Sequence, residues 1–297
     1  MTPATGEDSP EDLENELAEL EQRLVQIKQR LKDKSTPPNT TSASASTPHQ
    51  PSSSLAHHQA PAHHYLLLLA DSALPLGSFA FSSGLESYLA HARTSSSTSK
   101  PSFSAFLPLS LSSYASTTLP FLLAAHRAPD ARSTAALDDA LDATIVCAVG
   151  RRASVAQGRA LLAIWEKSLS PGLSPSPSPT TSLSALRGGD GDGVVFSAHL
   201  APLFGAVAHL CGLSRRQAAY VFLLGHVKAL VSAAVRASLL GPYQAQRILA
   251  GPLVRDLLAA VIEREWETPV EEAGQSVPVM DFWVGRHEVL YSRIFNS

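Results

Sequence analysis

Cysteine is scarce in this sequence, with only Cys147 and Cys211 among 297 residues. Two thiols cannot supply a disulfide framework or a four-thiolate zinc site, and both lie in apolar, helical-looking stretches, so a reducing compartment is expected. Charge is sparse too: 23 Lys and Arg stand against 26 Asp and Glu, a formal net charge of −3 at pH 7. Nucleic-acid binding draws on a basic surplus that is missing here, so no nucleic-acid partner is expected. Isoleucine occurs six times and strand-like alternation is missing, which argues against a sheet. Unbroken apolar runs are also lacking. Residues 103–125 are uncharged but interrupted by Ser, Thr and Pro, and 218–240 carry His226, Lys228 and Arg236, so both read as buried helix rather than membrane span. The opening MTPATGEDSPEDLENE is acidic and has no apolar export core, so a cytoplasmic protein with no membrane partner is expected.

Reaction centres are lacking as well. There is no phosphate loop ending in GK[ST], no GxSxG elbow and no HExxH pair. Asp190-Gly-Asp192 opens like a calcium loop, but no closing Glu follows. The chain is therefore not expected to be an enzyme.

What the chain does have is apolar material, 44% of its residues, enough for a substantial core. Helical segments are readable near 84–92, 103–128, 133–147, 151–168, 197–211, 215–239, 243–265 and 281–295. Ser214 with Gln217 makes a capping box, and Gly212 is a natural helix stop. The fold class is all-α: one helical bundle of about eight helices across 65–297. Ahead of it, Leu13, Leu17, Leu20, Leu24, Ile27 and Leu31 alternate four and three apart, the seam of a coiled-coil-like helix over 1–34. Residues 35–64 contain no charged side chain and are mostly Ser, Thr, Pro, Ala and His, a composition expected to remain a disordered linker. Its His57, His58, His63 and His64 are weak candidates for loose metal binding. The Pro/Ser- then Gly/Asp-rich stretch 169–193 reads as a disordered, removable surface insertion.

Four segments place polar residues inside apolar surroundings. In YLLLLADSALPLGSFAFSSGLESY (65–88), Gly77, Ser78, Phe79, Ser82, Gly84 and Glu86 lie in a loop entering a helix. In RRASVAQGRALL (151–162), Arg152, Ser154 and Gln157 are carried on a helix, and Gly158 suggests a close helix crossing. In VSAAVRASLLGPYQAQR (231–247), Ser232 and Arg236 share a small-residue face and Gln246 follows; Arg236 needs an acidic or carbonyl partner inside the chain or across an interface. At the terminus, Trp283, His287, Leu290, Tyr291 and Ile294 recur at helical spacing, an apolar stripe to be covered by the chain's own core or by a partner.

LLLLADSALPLGSFAFSSGLE, RRASVAQGRALL, FGAVAHLCGLSRRQAA, VSAAVRASLLGPYQAQR and HEVLYSRIFNS, in that order, resemble the blocks of the urease accessory protein F family over residues 65–297, without 169–193. The resemblance implies an all-helical, non-catalytic protein that forms a homodimer. It implies binding to the urease accessory scaffold protein of D or H type and recruitment of the accessory GTPase of G type. The complex would act on apo-urease, with nickel handled by the complex and no cofactor held firmly by this chain. By the same resemblance the C-terminal tail docks on the scaffold. Within it His287, Tyr291, Ser292 and Arg293 are the expected contacts, and Glu86 and Arg236 are expected to supply polar contacts that gate the GTPase by differential affinity for its nucleotide states. A histidine-rich nickel carrier and a generic coiled-coil adaptor are the alternatives.

Overall fold

Gly212 adopts φ +80° at the end of one helix, and its N–H and that of Leu213 close on the carbonyls of His209 and Ala208. That paired closure is the Schellman pattern, which a glycine enters without Cβ strain. Two residues on, Ser214 Oγ accepts from Gln217 N at 3.3 Å while Gln217 Oε1 accepts from Ser214 N at 2.9 Å, forming the anticipated capping box. These local signals define a tight helix–helix corner in the computed structural model, which describes residues 54–94, 101–173, 183, 186 and 196–296. The coiled-coil reading of 1–34 and most of the linker and insertion readings lie outside the described residues.

Among the described residues there are ten α-helices and no strand: α1 Ser54–Ala70, α2 Leu85–Thr94, α3 Phe103–Arg127, α4 Ala131–Thr144, α5 Ala148–Ile164, α6 Leu200–Leu210, α7 Arg215–Arg236, α8 Pro242–Ala250, α9 Pro252–Glu265 and α10 Val279–Arg286. The all-α class is as expected. Helix α3, uncharged from Phe103 to Ala125, is the central helix, packed against α4, α6, α7, α9 and α10. Several of its inward hydroxyls are satisfied: Thr117 and Thr118 donate to the carbonyls of Ser113 and Tyr114 four residues back, and Ser110 bonds His226 of α7 at 3.0 Å. Such back-bonding lets a Ser/Thr-rich helix be buried without orphaned donors. Gly205 on α6 sits against α3, where an added Cβ would stand 2.2 Å from the Leu122 carbonyl oxygen. The close crossing of the two central helices depends on that missing methyl.

One described helix, α7, is long and apolar enough to cross a membrane, but most of its apolar window is buried against the rest of the bundle. Its inner face joins Phe222 and His226 to Tyr114 of α3 in one aromatic stack, with the Tyr114 and His226 rings 4.0 Å apart and nearly parallel.

Four expectations change. Helix α1 begins at Ser54, inside the stretch read as linker. The helix expected over 243–265 divides at Gly251, whose extended backbone caps α9 ahead of Pro252, a residue that has no N–H to continue α8. At the edge of the stretch read as a surface insertion, π-type and 3-10 turns at Trp165–Leu169 and Ser170–Gly172 carry α5 on into it, and within it Leu183 (0% exposed) and Leu186 are packed in the core. Apolar residues within a Pro/Ser tract are thereby recruited to the bundle. Finally, the terminal helix stops at Arg286, followed by a 3-10 turn at His287–Val289 and an irregular, bent segment to residue 296.

Candidate partner-binding site at the C-terminal clasp

Gly77, at φ +74°, precedes a 3-10 turn at Ser78–Ala80, and Gly84, at φ +86°, leads into α2. A Cβ on Gly84 would lie 3.1 Å from Val284 N and 3.2 Å from Trp283 Cβ, so this glycine permits α10 to lie against the start of α2. That approach puts Glu86, in the first turn of α2, beside the C-terminal segment.

The Glu86 carboxylate is 12% exposed and gathers the end of the chain. Its Oε2 accepts from His287 Nε2 at 3.0 Å and from Phe295 N at 3.3 Å, and its Oε1 accepts from Ile294 N at 2.7 Å. Asn296 N donates to the Ala80 carbonyl at 2.8 Å. Phe295 is buried, with the Arg236 guanidinium 4.3 Å above its ring centre, and Arg236 donates to the Phe79 carbonyl. Partial burial lowers the Arg236 pKa, yet guanidinium stays charged. His287 is buried and its Nδ1 has no partner, so Nε2 is the ring nitrogen that carries the proton toward Glu86. Loop, α2, α7 and tail are thus tied into one clasp.

The structure brings Phe79, Glu86, Arg236 and His287 together. Ser78 Oγ donates to Gln157 Oε1 at 2.8 Å, which attaches the same loop to α5. Arg152, also on α5, pairs with Glu288. Ser82 and Gly84 are buried in the loop, Ser232 is half-buried on α7, and Gln246 is exposed on α8, apart from the clasp. Tyr291, Ser292 and Arg293 are exposed, with Tyr291 fully so, and form a bulge bracketed by the bonded His287 and Ile294. His63 and His64 are exposed on α1, and no group of three or more potential metal ligands occurs among the described residues. His57 and His58 fall in α1 but outside the described side chains.

The anticipated terminal stripe does not form one face. Trp283 packs edge-on against Tyr88 at 5.0 Å and lies 5.8 Å from Phe106, and His287 faces Glu86, so the bundle covers both. Tyr291 and Ile294 instead follow the helix end and face solvent.

Ser154 belongs to a second, buried network. Its Oγ lies 3.0 Å from His199 Nδ1, and His199 Nε2 lies 2.8 Å from Asp142, which pairs with Arg151. Asp138 accepts from the backbone N–H groups of Ser197, Ala198 and His199, holding Ala198 at φ +70°. Burial lowers the His199 pKa, opposed by nearby Asp138 and reinforced by Arg151. Gly158 lets α5 approach the start of α6 and this network closely, because a Cβ there would stand 2.0 Å from the Ala198 carbonyl oxygen and 2.8 Å from Leu200 N. With His199 fully buried, the network stitches the entry to α6 onto α4 and α5. Phe295, Asp138 and His199 were not anticipated; their partners lie 45 or more residues away, beyond any local signal.

The described residues thus form an all-helical bundle whose polar motif residues hold its loops and its terminus. The UreF family model matches residues 97–252. A Schizosaccharomyces pombe protein described as an uncharacterized urease accessory protein UreF-like is 38% identical over 240 residues, covering 78% of this chain and 95% of the relative. Urease accessory protein F of Oryza sativa subsp. indica is 34% identical over 234 residues, covering 76% and 82%. Urease accessory protein UreF of Paenarthrobacter aurescens is 31% identical over 230 residues, covering 77% and 95%. The chain belongs to the UreF family of urease accessory proteins.

Proposed function

We propose that this protein is a non-catalytic adaptor in urease maturation, acting in the cytoplasm as a homodimer. It binds the D/H-type accessory scaffold protein and recruits the G-type accessory GTPase, and the assembly delivers nickel to apo-urease. The carrying observation is the clasp: His287, Ile294 and Phe295 are bonded to Glu86 while Tyr291–Ser292–Arg293 face solvent. A tail pinned on both sides presents an aromatic and an arginine, two side chains favoured at binding hot spots, in a pre-ordered loop that loses little entropy on docking. The GTPase is gated if it binds the clasped arrangement more tightly in one nucleotide state, since only differential affinity shifts such an equilibrium.

Co-purification of the full chain with the recombinant scaffold protein and GTPase tests the reading. Loss of scaffold binding on deleting residues 290–297 or on Arg293→Glu, with helix content unchanged, is expected. Full scaffold binding by both variants would refute the assignment of the tail.

A further inference from the structure

The loop from Asp71 to Ser83 spans a cleft in the bundle. On one side α7 holds it, Lys228 donating to the Ala70 carbonyl at 2.7 Å and Arg236 to the Phe79 carbonyl; on the other, Gln157 of α5 accepts from the Ser78 hydroxyl. Between this loop and the inner helices lies a cavity of about 220 Å³. Aromatic rings line it from several elements: Phe79 and Phe81 of the loop, Tyr114 of α3, Phe204 of α6 and Phe222 of α7.

Two hydroxyls open onto this space. Ser113, 8% exposed, and Tyr114 both line the cavity, and neither side-chain oxygen bonds another described residue. Nor is either sealed off, since the sealed and partnerless side-chain atoms among the described residues are Ser87 Oγ and His287 Nδ1. Such hydroxyls take their hydrogen bonds from whatever fills the cavity. Burial pushes the Tyr114 pKa up, so its hydroxyl stays protonated and able to donate.

Gly225 of α7 also lines the cavity and is exposed, which places it at the mouth. Its φ is not positive and a Cβ there would meet nothing within 4 Å, so neither backbone strain nor close packing calls for glycine. A glycine inside a helix weakens it relative to alanine; here it leaves the entrance wide.

Size and charge decide the occupant. A helix about 10 Å across does not fit beneath a loop tied on both sides. An apolar cavity of about 150 Å³ holds benzene, so this one has room for a second ring. The charged lining residues are Asp71, which is exposed, Asp281, and Lys228, whose ammonium is taken up by Ala70. A charge carried among the rings would lose its hydration without a counter-ion. Apolar walls with a few placed polar groups are the make-up of a small-molecule site. We infer that the cleft binds a compact, uncharged aromatic molecule of one or two rings, whose hydroxyl or ring N–H meets Ser113 and Tyr114. This site is separate from the adaptor reading and does not rest on it.

Titration calorimetry of the full chain with 2-naphthol, indole and 2-naphthalenesulfonate tests it. One site per chain is expected for 2-naphthol, at least tenfold tighter than for the sulfonate. Gly225→Leu, which narrows the mouth, is expected to weaken 2-naphthol binding at least tenfold while keeping or raising the melting temperature. Ser113→Ala is expected to weaken it about threefold or more with the fold unchanged. Absence of saturable binding by both 2-naphthol and indole would show a cleft that holds only water and would overturn the proposal. Binding undiminished in both variants would place the ligand elsewhere, and equal binding of the sulfonate would refute the uncharged class.

Discussion

Replacing Glu86 with alanine is the most direct probe of the clasp. The carboxylate accepts from His287 Nε2, Ile294 N and Phe295 N. Hydrogen bonds to a charged group net about 1.5–3 kcal/mol each, but a donor that regains water loses little. Ile294 is exposed and its N–H rehydrates, whereas His287 is 1% exposed and its Nδ1 is already without a partner. Stranding the buried Nε2–H costs about 1–3 kcal/mol, and the half-buried Phe295 N–H adds a smaller amount. The anchoring of Phe295, about 2 kcal/mol from burial and about 0.5–1 kcal/mol from the Arg236 guanidinium, remains. The net local loss is thus about 2–3 kcal/mol, or roughly a 30- to 150-fold rise in the opening constant of the tail. Amide hydrogen exchange at Phe295 and Asn296 should accelerate by that factor while core amides of α3 and α6 stay protected. Glu86→Gln, which keeps one acceptor oxygen, should fall between. Unchanged tail exchange in Glu86→Ala, or uniform loss of protection across the bundle, would refute the clasp as a local device.

Gly158→Ala should destabilise the whole domain by about 1–3 kcal/mol or more, read in urea denaturation, because the new methyl would meet backbone 2.0 Å away that Asp138 and His199 hold in place. Leu183→Ala should cost about 2–4 kcal/mol despite its Pro/Ser-rich surroundings, since the side chain is 0% exposed; a shift of the urea midpoint below the equivalent of 0.5 kcal/mol would contradict its place in the core. Burial holds His226 down at about 3 and also lowers His126 and His199. The unfolded chain then takes up protons first as pH falls below about 6.5. Stability present above that pH is lost toward the folded-state values, at up to about 1.4 kcal/mol per pH unit per histidine. Urea midpoints measured at pH 7.5 and 5.0 should therefore fall, and less steeply in His226→Gln; equal slopes would show that His226 is not held neutral.

The corner at 209–217 and the helical class were legible because their causes are short-range. Gly212, Ser214 and Gln217 act on backbone within five residues of themselves, and an uncharged Ser/Thr/Leu stretch such as 103–125 is suited to burial as a back-bonded helix. The four motif segments were also found as places where polar groups interrupt apolar ones. Their partners were not legible. Nothing near Glu86 announces that its acceptors serve residues more than 200 positions away, and nothing near Asp138 announces the three N–H groups that it satisfies across the insertion.

Composition and local spacing thus determined the helices, their caps and the segments where polar chemistry concentrates, since each follows from one chain's backbone and its immediate neighbours. Only the tertiary structure decided which side of the C-terminal segment is covered. Trp283, His287 and Phe295 turn inward because Gly84 admits α10 close enough for Trp283 to pack on Tyr88, for Glu86 to take the donors of His287 and Phe295, and for Arg236 to cover the last ring. With those satisfied inside the bundle, Tyr291, Val289 and Phe282 are the side chains left facing solvent, which no helical period drawn through the sequence distinguishes.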